Sequence, residues 1–165
     1  MIAVDTNLLV YSHRSDSPFH QVAKELIAAL RAGPAAWAIP WPCVHEFVAM
    51  VTHPKVFKTP TPLAVSFACV DAWLAGGNLH LIAEGEGYFE KLRSLATAAR
   101  LKGPRIHDAR IAALCLHHGV SEIWTADRDF PALPRVKVRN PMVKRQAEVV
   151  REPQRHASGS DERAG

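Results

Sequence analysis

The amino-acid sequence predicts an α/β protein with a central parallel sheet of four or five strands flanked by helices. Short apolar runs of strand length alternate along the chain with longer segments whose apolar residues recur at helical spacing. Glycine and proline separate most of these segments, and 165 residues suit one hydrophobic core. Strands that alternate with helices are typical of parallel sheets, because each crossover must carry the chain back across the sheet.

The first three elements follow from short patterns in the sequence. Ile2-Ala3-Val4 is an apolar run that predicts a buried strand. Over about residues 18–32 the apolar residues recur at helical spacing, and Gly33-Pro34 ends that helix. Residues 37–39 then predict a second strand.

Proline and glycine bound the elements that follow. Pro40 and Pro42 frame the start of a helix, since proline is tolerated in a first turn, and this helix runs to about Thr52. The remaining predicted elements, in order, are a helix over about 62–74, a strand at 79–82, a helix over 86–101, a helix over 106–118, a strand at 122–125 and a weak strand at 136–138.

The composition indicates a globular protein. Hydrophobic residues make up 48% of the chain and charged residues 22%, and a net charge of +4 permits a polyanionic partner without identifying one. The three cysteines are widely spaced, which predicts reduced thiols in the core. The sequence shows neither a signal-peptide pattern nor an apolar run near the roughly 20 residues of a spanning helix. We therefore expect a cytoplasmic protein without membrane association.

The composition changes near the end of the chain. Residues 1–141 are predicted to form one domain. In residues 142–165 charged residues, Gln, Ser and Gly replace most apolar residues. This segment is predicted to be a disordered charged tail.

Four acidic residues are placed by the predicted sheet. Asp5 directly follows the first strand, Glu46 lies one turn into the helix after the second strand, and Asp127 and Asp129 follow the fourth strand. The carboxyl ends of parallel strands meet at one edge of the sheet, where ligands bind in open α/β folds. We therefore expect these carboxylates to lie close together.

Glu46 and Asp108 each belong to an apolar helix. The helical neighbours of Glu46 are apolar or small, so we expect its carboxylate to lie on a buried face and to need a partner such as a metal ion. Asp108 is in the first turn of the most apolar predicted helix. There it could be either a ligand or an N-cap.

Ordinary structural roles remain open for every one of these acids. The acids that follow strands could cap a helix beginning at Asn7 or stabilise a turn, and Glu46 could pair with an arginine or with His45. Converging carboxylates would repel and raise one another's pKa. Mg²⁺ or Mn²⁺ would relieve that repulsion and could activate water and hold a phosphate oxygen, as phosphodiester hydrolysis requires.

Several stretches together resemble a known family. They are Asp-Thr-Asn at 5–7, the helical Glu46, the segment 108–113 that opens with Asp108, and Thr-Ala-Asp-Arg-Asp-Phe at 125–130. In this order and spacing they resemble the PIN domain over roughly residues 1–141. Residues 41–47 and 52–54 resemble, in particular, the VapC-type toxins of VapBC toxin–antitoxin pairs.

This resemblance implies a Rossmann-like sheet, endonucleolytic cleavage of RNA with Mg²⁺ or Mn²⁺ as cofactor, a homodimer, and inhibition by a cognate antitoxin protein. By position it implies catalytic roles for Asp5, Glu46, Asp108 and Asp127, metal ligation by Asp5, Asp108, Asp127 and Asp129, and supporting roles for Thr6, Asn7 and Thr125. The apolar positions considered for the dimer contact are Leu63, Val65, Phe67 and Val70.

The remaining candidates concern nucleic-acid contacts. Arg110 and Arg128 lie beside proposed ligands and are possible phosphate-binding residues, with Arg110 the favoured one. The four tryptophans, including Trp41, lie in apolar segments, so we expect core packing rather than base stacking.

Two other functions compete with a nuclease. A phosphatase-type phosphoryl transfer enzyme would use Asp5 as nucleophile, although such enzymes want a second aspartate where this chain has Asn7. A catalytically silent, PIN-like RNA-binding domain is the non-enzymatic alternative, although such domains usually lose one or more of the acids.

Overall fold

The computed structural model describes residues 1–130 and 136–143. Its elements, in chain order, are β1 (Ile2–Val4), α1 (Thr6–His13), α2 (His20–Ala32), β2 (Trp37–Pro40), α3 (Trp41–Val51), α4 (Leu63–Leu74), β3 (Leu79–Ile82), α5 (Tyr88–Ala98), α6 (Arg105–His117), β4 (Glu122–Trp124) and β5 (Lys137–Arg139). The predicted fold class is confirmed, with all five strands present.

The strands form one sheet in the order β3-β2-β1-β4-β5, and every pairing is parallel. The central strand is β1, whose Ile2 is level with Trp37 of β2 on one side and with Glu122 of β4 on the other. The strand order therefore reverses direction at β1. In such a sheet the crevice for a ligand opens at the carboxyl end of the central strand.

The helices bury the apolar strands between them. α1 packs against α2 and α3, and α5 packs against α6. Trp37, Phe47, Leu8 and Leu9 are among the largest fully buried side chains of the core. The predicted reduced cysteines are confirmed, since Cys43 and Cys115 are buried, Cys69 is half-buried, and all three are free thiols.

Helix boundaries differ from the expected ones where backbone conformation decides them. α1 begins at Thr6, one residue earlier than the helix considered as an alternative role for Asp5. α5 begins only at Tyr88, because Gly87 before it has a left-handed backbone with φ of 76°. Arg100 also has a positive φ, of 50°, and α5 ends before it, at Ala98.

The described core extends past the expected domain boundary. Met142 is only 3% exposed and belongs to the hydrophobic core, so the folded unit reaches one residue beyond Pro141. The predicted disordered tail lies, from residue 144 onward, outside the described residues. Across residues 1–130 and 136–143, no helix is both long and apolar enough to cross a membrane.

Two expectations about apolar residues are wrong. Val70, expected to face a second protomer, is buried in the core, whereas Leu63, Val65 and Phe67 of α4 are exposed. The reason is helical geometry, because Val70 lies on the side of α4 that faces the core. Trp41, expected in the core, is 39% exposed at the first position of α3.

Candidate active site

A cavity of about 180 Å³ opens at the carboxyl end of β1. Four of the predicted acids line it. Its lining residues are Asp5, Thr6, Asn7, Val10, Tyr11, Glu46, Met50, Asp108, Ile111 and Asp127. Residues from both halves of the sequence therefore meet at the edge predicted from the strand order.

Asp5 is the most buried of these acids, with 6% of its surface exposed. It follows β1 and also caps α1, because its Oδ1 accepts a hydrogen bond of 2.8 Å from the backbone N–H of Thr6. The Cys43 thiol lies 3.6 Å from the same oxygen. The capping role considered as an alternative is thus real, and it fixes the carboxylate at the edge of the cavity.

Thr125 and Asn7 hold the second oxygen of Asp5. The Thr125 hydroxyl donates to Asp5 Oδ2 at 2.7 Å, and the Asn7 Nδ2 donates to it at 3.0 Å. Thr125 Oγ1 in turn accepts from Asn7 Nδ2 and from the Asp127 N–H, each at 3.0 Å. Asn7 Oδ1 accepts from the Ala126 N–H at 2.9 Å. This network ties the ends of β1 and β4 together.

Glu46 faces the cavity from the exposed side of α3. The expectation that its carboxylate lies on a buried face is wrong, because Ala49 and Met50, its neighbours one turn on, are exposed too. The Thr6 hydroxyl donates to Glu46 Oε2 at 2.6 Å. The partner that this carboxylate needs is thus supplied by α1 rather than by an arginine or by His45.

Asp108 is the fourth residue of α6 and is half-buried. It is not the N-cap, because the helix begins at Arg105 and Pro104 occupies the cap position. Nowhere in the described part of the chain does a hydrogen bond reach its carboxylate. Of the four acids that line the cavity, Asp108 is therefore the one whose carboxylate accepts no hydrogen bond within the described residues.

Asp127 and Asp129 form a turn after β4. Asp127 Oδ1 accepts a hydrogen bond of 2.8 Å from the Asp129 N–H, so the turn role considered as an alternative is present. Asp127 also lines the cavity, whereas Asp129 is exposed and is not among the lining residues. Metal ligation by Asp129 stays a prediction.

The acids of the cavity influence one another electrostatically. Burial raises the pKa of Asp5 above its ordinary value, and the charge of Glu46 adds to this, against the lowering effect of the hydrogen bonds from Thr125 and Thr6. Burial also raises the pKa of Asp108, and the charges of Asp127 and Glu46 raise it further. The carboxylates therefore converge closely enough for repulsion, as the sequence predicts.

A hydrated divalent cation fits this site. Carboxylate oxygens are the donors that Mg²⁺ and Mn²⁺ prefer, and the cavity is several times the roughly 30 Å³ that one water occupies in the liquid. Within residues 1–130 and 136–143, however, no three acidic, histidine or cysteine side chains stand close enough to hold one ion together. The carboxylate of Asp108 accepts no hydrogen bond within the described residues and Asp127 is exposed, so both have acceptor positions available to a cation.

The cations near the site differ from the expected ones. Arg110 does not line the cavity and instead pairs with Glu84, with its Nε 2.9 Å and its Nη2 2.7 Å from Glu84 Oε1. Arg128 is exposed in the turn after β4. Arg105, which the sequence analysis missed, acts electrostatically on Asp108 together with His107. Its position one helical turn before Asp108 was the signal available in the sequence.

Comparison with known proteins agrees with this geometry. The PIN domain family model matches residues 2–136. The chain belongs to the PIN-domain family. Two relatives of this PIN domain come from Mycobacterium tuberculosis. Ribonuclease VapC48 is 30% identical over 137 residues, which cover 83% of this chain and 94% of the relative. Ribonuclease VapC43 is 32% identical over 142 residues, which cover 86% and 96%.

Solved structures share the PIN fold at lower identity. The sarcin-ricin loop cleaving toxin VapC20 of Mycobacterium tuberculosis aligns with a TM-score of 0.59 at 16% identity, over 79% of this chain and 92% of that one. FitAcB of Neisseria gonorrhoeae aligns with a TM-score of 0.58 at 22% identity, over 86% and 98%. At these identities the likeness concerns the fold alone.

Proposed function

We propose that this chain is a metal-dependent endoribonuclease that hydrolyses RNA phosphodiester bonds and acts as the toxin of a toxin–antitoxin pair. The observation that carries the proposal is the convergence of Asp5, Glu46, Asp108 and Asp127 in one cavity at the carboxyl edge of a PIN-domain sheet. The names of the relatives, which are VapC ribonucleases, support the choice of RNA as substrate.

In this proposal Asp5, Asp108 and Asp127 hold Mg²⁺, with Mn²⁺ able to replace it and Asp129 as a further ligand. When bound, the cation would lower the pKa of a water molecule and stabilise charge on the phosphate. Asp5 contributes a carboxylate whose orientation is fixed by Thr6, Asn7 and Thr125. The three polar residues therefore support the site by holding one ligand still.

Glu46 is the proposed proton acceptor. In hydrolysis, a water oxygen bonds to phosphorus and the bond from phosphorus to the ribose oxygen breaks. A base must take the proton that the water loses, and the departing ribose oxygen takes a proton from solvent. Glu46 lines the cavity and remains open to solvent, while the Thr6 hydroxyl fixes its Oε2. Arg105 and His107, which act electrostatically on Asp108, are the proposed cations for attracting the phosphate.

The proposed partner is a cognate antitoxin protein. Support comes from neighbours that share the fold and are described as assemblies, among them VapBC2 from Rickettsia felis bound to a promoter DNA fragment and a toxin–antitoxin complex from Klebsiella pneumoniae. A cytoplasmic location and a homodimer belong to the same proposal. Leu63, Val65 and Phe67 on the exposed side of α4 are candidates for one of these contacts.

RNA cleavage by an Asp127→Asn variant tests the function. Asparagine keeps the Oδ1 atom that accepts from the Asp129 N–H, so the turn survives while the carboxylate charge is lost. We expect the wild type to cleave RNA with Mg²⁺ or Mn²⁺ and to lose this activity in a chelator. In the variant we expect the cleavage rate to fall by at least about 100-fold, because removing a metal ligand lowers activity more than removing a residue that supports a ligand.

The matched control is Asp71→Asn, which removes an exposed carboxylate from α4, an element that contributes no residue to the cavity. It should cleave like the wild type. Cleavage that persists at the wild-type rate in Asp127→Asn or in chelator would contradict the proposed mechanism. Hydrolysis of a small phosphoester without RNA cleavage would favour a phosphatase, and metal binding without any turnover would favour a silent binding domain.

A further inference from the structure

Trp41 and His45 form an exposed aromatic pair next to the acidic cavity. The two residues lie one turn apart on α3, and their ring centroids are 5.7 Å apart with an angle of 36° between the planes. Trp41 is 39% exposed, whereas the other three tryptophans are less than 9% exposed, and His45 is exposed too. Trp41 therefore offers a large aromatic surface to solvent, which the other tryptophans do not.

The sheet register places this pair at the same edge as Asp5. Ala3 of β1 is level with Ala38 of β2, so Asp5 is level with Pro40, and Trp41 follows directly. Neighbouring strands are about 4.8 Å apart, so the backbone of α3 begins about one strand spacing from the residue that follows β1. His45 is also the chain neighbour of Glu46, which lines the cavity.

The pair lies on one particular side of the cavity. Glu46 turns towards α1, where the Thr6 hydroxyl donates to it. Beyond β3, a backbone hydrogen bond and then the hydrogen bond from Arg110 lower the pKa of Glu84, and His45 lies close enough to add a smaller lowering effect. The aromatic pair thus faces the β3 side of the sheet edge, where the Arg110–Glu84 ion pair also lies. Asp127 follows β4, on the opposite side of β1.

We propose that Trp41, supported by His45, is a stacking platform for one unpaired RNA base beside the bond that is cleaved. Bases of single-stranded RNA stack on exposed tryptophan and histidine rings, and the platform adjoins the carboxylates that would act on the phosphate. The inference rests on the proposed function. Because the platform lies only on the β3 side, it contacts a nucleotide on one side of the cleaved bond and not on the other.

Kinetics on abasic RNA test this platform. The cleavage site of the wild type is first mapped on a single-stranded RNA, and the base is then removed from each of the three nucleotides on either side in turn. We expect one position, on one side only, to lower kcat/KM by about tenfold, the effect of losing one stacked base. Trp41→Ala should lower kcat/KM by the same factor, mainly by raising KM. For this variant, removing the base at that position should cause no further decrease in kcat/KM.

Two variants separate stacking from folding. Trp41→Phe keeps an aromatic face and should retain most of the activity. Phe89→Ala removes an aromatic ring from α5 that is even more exposed than Trp41, at 58% against 39%. Phe89 lies outside the proposed machinery, so this variant should behave like the wild type. The platform is disproved if Trp41→Ala is as sensitive as the wild type to removal of each base, or if Phe89→Ala loses as much activity as Trp41→Ala. The exposed rings of Trp41 and His45 would then be candidates for contact with a protein partner.

A binding measurement keeps this inference distinct from the nuclease activity. In the Asp127→Asn background, the anisotropy of a fluorescent single-stranded RNA should give a Kd about tenfold weaker for Trp41→Ala than for Phe89→Ala. That difference would support the platform even if the wild type cleaved no RNA, which would refute the proposed function alone. Equal Kd values would overturn the platform even if cleavage is observed.

Discussion

Asp5 accepts hydrogen bonds at both of its carboxylate oxygens, from a backbone N–H, a thiol, a hydroxyl and an amide. A carboxylate has about four acceptor positions, so the protein itself occupies nearly all of them. The weakest contact is that of the Cys43 thiol at 3.6 Å. The proposed cation would displace this contact most easily, and the other three donors would keep the oxygen atoms in place.

Asp108 provides the clearest test of repulsion in the cavity. Its pKa is raised in the folded protein, first by burial and then by the charges of Asp127 and Glu46, so the folded state binds a proton more tightly than the unfolded state. The ionised carboxylate therefore destabilises the metal-free fold above its folded-state pKa. This penalty disappears as the pH falls towards the ordinary value of 3.8.

We predict that, in chelator at pH 7, Asp108→Asn has a higher free energy of unfolding than the wild type. The difference should shrink as the pH is lowered towards 4, because the wild type then becomes protonated too. Urea unfolding at a series of pH values measures it, with Asp71→Asn as the control at an exposed site. A difference that stays constant with pH would show that the variant acts by another route.

Single residues could be predicted from the sequence where strand order alone decides their place. Asp5 and Asp127 follow strands, and a parallel sheet brings them to one edge whatever the detailed packing is. The exposure of Glu46 and Trp41 was not predictable in this way, because helical spacing shows which residues share a face but not which element covers it. Arg105 was missed because it lies one residue before the predicted start of α6.

At the scale of elements, the junction between α1 and α3 controls the proposed proton acceptor. Thr6 is buried in the first turn of α1, and its hydroxyl reaches across to Glu46 on α3 at 2.6 Å. Because its N–H donates to Asp5 and its hydroxyl donates to Glu46, Thr6 connects the acid that caps α1 to the acid that extends from α3. We therefore propose that Thr6 is a positioning residue, which acts through Glu46.

We predict that Thr6→Val lowers kcat by about tenfold, the lower end of the effect expected for a supporting residue, while KM changes little. Valine keeps the shape but cannot donate to Glu46. Thr6→Ser keeps the hydroxyl and should restore most of the rate, which loss of packing alone would not explain. Steady-state cleavage kinetics of both variants test the positioning role of Thr6. Equal rates for Thr6→Val and the wild type would rule it out.

The existence and order of the elements were predictable, whereas their ends were set by local backbone conformation. The predicted strands and helices correspond to β1–β5 and α2–α6, because apolar periodicity and Pro or Gly boundaries agree for each of them. α1 follows β1 so closely that its eight residues carry little periodicity of their own. The left-handed Gly87, which delays α5, depends on the path of the whole loop and has no signature in one sequence.

At the scale of the whole molecule, Met142 closes the described core. Its side chain is buried, and its N–H donates to Asn140 Oδ1 at 3.0 Å. Val143 next to it is exposed. The folded unit therefore requires Met142, although the composition of the chain changes close to this position.

We predict that truncation after Pro141 lowers the melting temperature by several degrees, because losing a buried methionine side chain costs about 2 kcal/mol or more. Truncation after Val143 should leave the melting temperature and RNA cleavage nearly unchanged, because apolar periodicity is lost beyond that point. Calorimetry of both truncated proteins beside the full chain tests this. A large destabilisation after Val143 would mean that the segment contributes to the fold.

Association between molecules should depend on the exposed side of α4. Phe67 is 52% exposed and lies near Leu63 and Val65, which are exposed as well. We predict a homodimer at micromolar concentration by light scattering, and a monomer for Phe67→Lys, because a charge there would be buried in the contact. Phe89→Lys on α5 is the matched control and should stay dimeric. A wild type that is monomeric would contradict the prediction.

The bond between Thr125 and Asp5 joins residues 120 positions apart in the chain, and this separation has a consequence during synthesis. Translation adds about 5–20 residues per second, so Asp5 exists for roughly 6–24 s at that rate before Thr125 is made. In this interval β1 has no β4 to pair with, and no carboxylate from the second half of the chain can reach Asp5. Under the proposed mechanism, a growing polypeptide on the ribosome therefore cannot yet attack RNA, and a premature stop codon before Asp127 yields an inert fragment instead of a weakened enzyme.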